Sequence, residues 1–231
     1  TYPHLDPEQA ADQTRALWGL GQEPAPNMIH LLEARGVRVF SLPPDCQDAD
    51  AFSAIRRGTP YVFLSTRKTA ERGRFDAAHE LGHLVLHCEH ASPRPQAAEP
   101  EANAFASAFL MPRAGLLAQQ LHNAGIDRIL QAKRRWGDSA MALTYRMHNL
   151  GLLTEWRYRQ TARQLAEMGY RTSEPDSRMP RESSQLLAKV FQALRARHIS
   201  TTDLANAVNI PPQDLNEYVF GLVPTPIHGG Y

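Results

Sequence analysis

The run His79-Glu80-Leu81-Gly82-His83, set inside RFDAAHELGHLVLHCEH at residues 74–90, constrains the fold of this chain more tightly than any bulk property. Two imidazoles that serve one ion must lie one turn apart on the same helical face, so the spacing demands a helix through residues 79–83. Ala77, Ala78, Leu81, Leu84 and Val85 recur at helical spacing and extend the expected helix from just after Thr69 to about His87. Glu80, between the histidines in sequence, is rotated to border such a site without replacing a ligand. A carboxylate there can take a proton from a metal-bound water and hand it to a leaving amine. Gly82 lowers helix stability by about 1 kcal/mol relative to Ala, which suggests close approach by another backbone or by a substrate. The competing reading is a surface helix that happens to carry histidines.

Two histidines are only part of a coordination shell. A catalytic zinc takes three protein ligands and leaves one position open. His87 lies eight residues from His79, roughly 12 Å along a helix axis, too far to share an ion, and is expected beside the site rather than in it. EANAFASAFLMP, residues 101–112, reads as a helix after the Pro-broken stretch SPRPQAAEP, and there Glu101 shares a face with Phe105, Ala108 and Phe109. A carboxylate on a buried face needs a positive partner, and a metal ion would be one. Glu101 is therefore the expected third ligand, with Glu99 in reserve; a buried Glu–Arg pair is the plainer alternative. Two imidazoles and a carboxylate favour Zn²⁺, one per chain. A purely structural zinc site fits less well, since it takes four protein ligands and has no use for Glu80.

The rest of the chain bounds the answer. Its 231 residues suffice for a substantial core, and 42% apolar with 21% charged residues is a globular composition. No apolar run approaches membrane-spanning length, the N-terminus does not read as a secretory signal, and Cys46 and Cys88 form no disulfide framework, so a cytoplasmic setting is expected. The sequence begins without Met and is expected to be a fragment or a processed product. Residues 7–21 and 26–36 read as helices; 37–43, 51–57 and 61–66 read as short strands, expected to be antiparallel. In a strand that holds an extended peptide beside the active helix, Val62 and Leu64 would lie on one face. Cys88 reads as a buried structural thiol, and no residue is singled out for an oxyanion among Tyr145, Arg146 and His148.

RFDAAHELGHLVLH followed by EPEANAFASAFLMP resembles the ImmA/IrrE-type metallopeptidases, with further similarity in PNMIHLLEARGVRVFSLP, YVFLSTRKTAERGRF and LQAKRRWGDSAMALTYRMHNLGLL. These flanks resemble family members fused to an N-terminal XRE-type helix-turn-helix, a part absent from this sequence. The resemblance implies a small zincin-like peptidase with His79 and His83 as zinc ligands, Glu80 as catalytic base and Glu101 as third ligand. It also implies a protein substrate, a repressor or similar regulator, cut to control gene expression.

The expected architecture is α+β: a zincin-like core over 1–124, a helical extension over 125–172, a linker over 173–183 and a small helical unit over 184–231. Residues 125–172 hold nine Lys and Arg against four Asp and Glu in a chain of net charge +1. With Lys133, Arg134 and Arg135 it is the better of two helix-turn-helix-like segments for touching DNA. The second, 199–222, carries acids where phosphate contacts would be needed. The rival to a peptidase is thus a regulator whose peptidase-like domain is a scaffold and whose helices bind DNA or a partner protein.

Overall fold

A computed structural model describes residues 5–43, 46, 50–87, 95–220 and 222. In chain order the helices are α1 (Pro7–Trp18), α2 (Met28–Ala34), α3 (Ala70–Leu86), α4 (Pro95–Leu110), α5 (Arg113–Leu117), α6 (Ile126–Trp136), α7 (Ala140–Asn149), α8 (Glu155–Glu167), α9 (Gln185–Ala196), α10 (Thr201–Val208) and α11 (Pro212–Phe220). Three strands, β1 (Arg38–Ser41), β2 (Ala51–Arg56) and β3 (Thr59–Leu64), lie between α2 and α3. Fold class is α+β, and the helix expected after Thr69 and the three expected strands are present. The contacts group the chain into two compact units that interleave in sequence. One takes the chain up to Pro26 with Thr69–Arg181, the other Asn27–Lys68 with the chain from Glu182 onward, so neither 124/125 nor 172/173 separates units.

The first unit is helical and centres on α4, which packs against both α3 and α1. Its second half is mostly apolar, and Phe105, Ala106, Ala108, Phe109 and Leu110, with Met111 just beyond it, are all buried. Trp18 meets Phe109 edge-on at 5.6 Å. The buried Arg15 guanidinium donates to the carbonyls of Gly21, Glu23 and Phe109, and desolvation lowers its pKa to about 10. Arg146 of α7, also buried, grips Glu8 with two bonds of 3.0 and 2.7 Å and donates to the Met111 carbonyl. Backbones come closest at Gly115, where a Cβ would stand 2.3 Å from the Gln22 carbonyl oxygen and 2.7 Å from the Trp136 ring.

Residues 173–183 do more than link. Glu174 is buried and accepts from Lys133 of α6 at 2.7 Å, while Asp176 and Glu71 lie 3.4 and 3.5 Å from the same ammonium. Asp138, in the α6–α7 turn, is fully buried and accepts from the Ser139 amide at 2.7 Å. Burial pushes its carboxyl pKa up to about 7.

In the second unit the strand order is β1-β3-β2. β2 and β3 form a hairpin across Arg57-Gly58, both at positive φ, which is the turn whose twist suits a two-residue connection. β1 pairs with the other edge of β3 in parallel, so the sheet is mixed rather than antiparallel as expected. The hairpin dictates only the β2–β3 direction; β1 comes from outside it and meets the free side of β3. Val39, Val62 and Leu64 are buried, while Phe40, Phe63 and Phe52 stack across the strands. The Glu33 carboxylate of α2 accepts from the Ser184 hydroxyl and from the amides of Gln185 and Leu186 at the start of α9. α11 packs against β1, with the Ser41 hydroxyl donating to the Glu217 carbonyl at 2.5 Å.

Candidate metal centre

Thr69 caps α3, its side chain accepting from the Arg72 amide, and the helix runs unbroken through the His-x-x-x-His pair. One turn apart, the Nε2 atoms of His79 and His83 approach to 3.0 Å. Glu99, on the first turns of α4, completes a triangle: its Oε2 lies 3.3 Å from His79 Nε2 and its Oε1 3.3 Å from His83 Nε2. These three side chains have metal-ligand spacing, each offering one ligand atom within 4.8 Å of the others. Burial, and then the neighbouring His79, hold the His83 pKa below the usual imidazole range, so His83 favours the neutral form that ligates. Two imidazole nitrogens and a carboxylate oxygen converging on one point repel each other unless a cation or a proton joins them, so the donor set fits a divalent metal.

α4 reaches the pair because α3 lets it come close. A Cβ on Gly82 would stand 3.2 Å from the Cα and carbonyl oxygen of Ala102 and from the Phe105 ring. The expected close approach is therefore made by the α4 backbone. Ala102 is buried in that contact, and Glu99 lies one turn before it on the same helix. The helix that carries it starts at Pro95, earlier than the expected 101, and includes Pro100, which forgoes one backbone hydrogen bond.

Glu101, the expected third ligand, goes elsewhere. Its Oε2 accepts from His87 Nε2 at 2.9 Å, whereas Glu99 meets the two histidines. The physical reason is the face of α4. Phe105 to Met111 are buried all round, so apolar pattern there does not mark the side that faces α3; the small Ala102, against Gly82, does. His87 lies beside the site as expected, its Nδ1 3.1 Å from His83 Nδ1. Asn103, which the sequence reading missed, meets His79 Nδ1 at 3.0 Å through Oδ1. Its signal was the Glu-Ala-Asn sequence two residues after Glu99. Glu80 is 4% exposed, on the helix between the two histidines.

Other expected site residues take different roles. β3 is the central strand, hydrogen-bonded on both sides, and Val62 and Leu64 are buried, so a peptide cannot add to it. Sequence alternation identified their shared face but not their place in the strand order. Lys133 is 2% exposed among three carboxylates and is closed to a DNA phosphate. Arg134 pairs with Asp176 at 2.8 Å and Arg135 with Glu23 at 2.6 Å, so acidic partners from outside 125–172 meet all three cations. Arg146 is committed to Glu8; Tyr145 is exposed, and His148 stacks on Tyr158 at 4.6 Å. Cys88 lies outside the described residues. Among the described residues no helix is long and apolar enough to cross a membrane.

Comparison with known proteins agrees with the motif. A solved structure described as a Mycobacterium tuberculosis transcriptional regulator superposes with a TM-score of 0.47 at 21% identity, over 62% of this chain and 46% of its own. This chain thus spans about half the length of that protein. No curated protein sequence matches. The sequence profile of the IrrE N-terminal-like domain matches residues 32–148, just over half of the 231, and takes in both histidines, Glu80 and Glu99. The chain belongs to this metallopeptidase family, the M78 or ImmA/IrrE-type peptidases.

Proposed function

We propose that the chain is a zinc-dependent endopeptidase that hydrolyses a peptide bond in a protein substrate. The observation that carries this is the convergence of His79 Nε2, His83 Nε2 and the Glu99 carboxylate, two of them on the helix that also carries Glu80. His79, His83 and Glu99 would hold one Zn²⁺, with Glu99 taking the place first assigned to Glu101. Zinc bound there supplies Lewis acidity, polarising the scissile carbonyl and acidifying water. Glu80 is the base: its carboxylate takes the proton of the attacking water and returns it to the amine that leaves. Asn103 orients His79 by accepting at Nδ1, which leaves Nε2 as the ligating atom. That the substrate is a transcriptional repressor or similar regulator rests on the family alone. A DNA-binding role draws no support from Lys133, Arg134 and Arg135, whose charges are met within the chain.

Metal content by elemental mass spectrometry, paired with a proteolysis assay, tests this. Wild type should carry about one zinc per chain and His83→Ala none; Glu80→Gln should keep the zinc and lose roughly 10²–10⁴ in cleavage rate. Wild type that binds no zinc, or a Glu80→Gln variant that cleaves as wild type does, defeats the proposal.

A further inference from the structure

Beside the ligand triangle runs a line of hydrogen bonds that no ligand role explains: Glu101 Oε2 to His87 Nε2 at 2.9 Å, and His87 Nδ1 to His83 Nδ1 at 3.1 Å. The protons along it are not free to be placed anywhere. A carboxylate can only accept, so His87 Nε2 carries the hydrogen. A neutral His87 then has a bare Nδ1, which accepts, and His83 Nδ1 must donate to it. With its hydrogen on Nδ1, His83 presents a lone pair at Nε2, 3.0 Å from His79 Nε2 and 3.3 Å from Glu99. The line thus ends by fixing which nitrogen of His83 can ligate.

We infer that His87 and Glu101 are positioning residues for the metal centre, a carboxylate–imidazole relay that locks His83 into its ligating tautomer and ring orientation. This rests on the zinc reading above and deepens it. The placement explains two otherwise idle features. His87 closes α3 as its C-cap residue, its amide still bonded to the His83 carbonyl at 2.9 Å, so its ring is held one turn beyond His83. Its side chain is only 10% exposed, whereas that of Glu101 is 40% exposed, so the inner member is shielded and the outer one anchors it from the rim. On the other ligand Asn103 does the same work with a neutral acceptor. The His83 arm is longer and ends in a carboxylate rather than an amide oxygen.

The test is the zinc dissociation constant of the full chain, measured by competition with a chromophoric chelator, for wild type, His87→Ala, His87→Gln and Glu101→Gln. His87→Ala should weaken zinc roughly 10- to 100-fold. His87→Gln, whose amide oxygen can accept the same His83 proton, should recover most of that loss. Glu101→Gln should cost less than His87→Ala, since an amide oxygen still accepts but without the charge. A folded His87→Ala protein that binds zinc as wild type does overturns the relay, and so does equal weakening in His87→Ala and His87→Gln, which would mean packing alone. Those outcomes leave the peptidase reading standing. Zinc binding with the expected ranking but no proteolysis would sink the peptidase reading and keep the relay, and a wild type that takes up no zinc would sink both.

Discussion

Asp138→Asn isolates a stability cost that the structure places at one atom. Asp138 is wholly buried, its Oδ1 is committed to the Ser139 amide, and its Oδ2 finds no hydrogen-bond partner among the described residues. Desolvation is the largest cause of its raised pKa and the nearby Glu174 and Glu71 add to it, against the Ser139 amide and Arg74. Folding thus lifts this carboxyl from 3.8 to about 7. Between those values the folded protein holds a proton that the unfolded chain has released, so stability falls as pH rises from about 4 to about 7 and then levels. A shift of roughly three units corresponds to about 4 kcal/mol at pH 8. Asn keeps the oxygen that accepts from Ser139, carries no charge, and turns an NH₂ toward the acidic neighbours in place of Oδ2. The variant should therefore match wild type within about 1 kcal/mol near pH 4.5 and exceed it by up to about 4 kcal/mol near pH 8. Urea denaturation of both proteins at half-unit steps from pH 4.5 to 8.5 reads the difference directly, because the titrating groups that do not couple to Asp138 contribute equally to the two curves. Parallel curves across that range would refute the reasoning.

Other substitutions probe the rest of the framework. Glu99→Gln should weaken zinc more than about a hundredfold, well beyond Glu101→Gln; the reverse order, in the same chelator competition, would return the third ligand to Glu101. Gly82→Ala gains helix propensity but presses on Ala102 at 3.2 Å, so stability should move by no more than about 1 kcal/mol while zinc binding weakens as α4 shifts; an unchanged zinc constant would contradict the close approach. Gly115→Ala must displace the Gln22 carbonyl and the Trp136 ring and should lose about 3 kcal/mol in thermal or urea unfolding. Lys133→Met leaves Glu174, Glu71 and Asp176 without their shared cation and should cost about 3–5 kcal/mol; a loss under 1 kcal/mol would show that the cluster is not held by charge.

Local signals were legible and distant partners were not. The spacing of His79 and His83, the apolar period around them and the Thr69 cap all act within a few turns, so α3 could be read from sequence to within a residue or so. The hairpin turn at Arg57-Gly58 is equally local, but nothing within β1 says which side of the hairpin it will join. Lys133 shows the limit most clearly. Counted within 125–172 it is one of nine cations, and its charge looked available to DNA; its carboxylate partner Glu174 lies 41 residues on, in a stretch whose Pro, Ser and acidic content reads as linker. A window of composition cannot see a counter-ion that arrives by folding.

The choice between Glu101 and Glu99 meets a related limit. Apolar periodicity finds the face of a helix that is buried, but from Phe105 to Met111 α4 is buried on every side, so burial cannot choose among its faces. What chooses is how near another backbone can come. Gly82 removes a Cβ from α3, Ala102 keeps the opposing surface of α4 thin, and the helices close until the residue one turn before Ala102 reaches the histidines. That residue is Glu99; Glu101, about 200° further round, is carried to His87 instead. The small residues at the contact, Gly82 and Ala102, therefore set which carboxylate faces the two histidines. The same closeness explains why one helix supplies a carboxylate to the His79–His83 pair, the partner of His79 Nδ1 and the partner of His87 within five residues, Glu99 to Asn103.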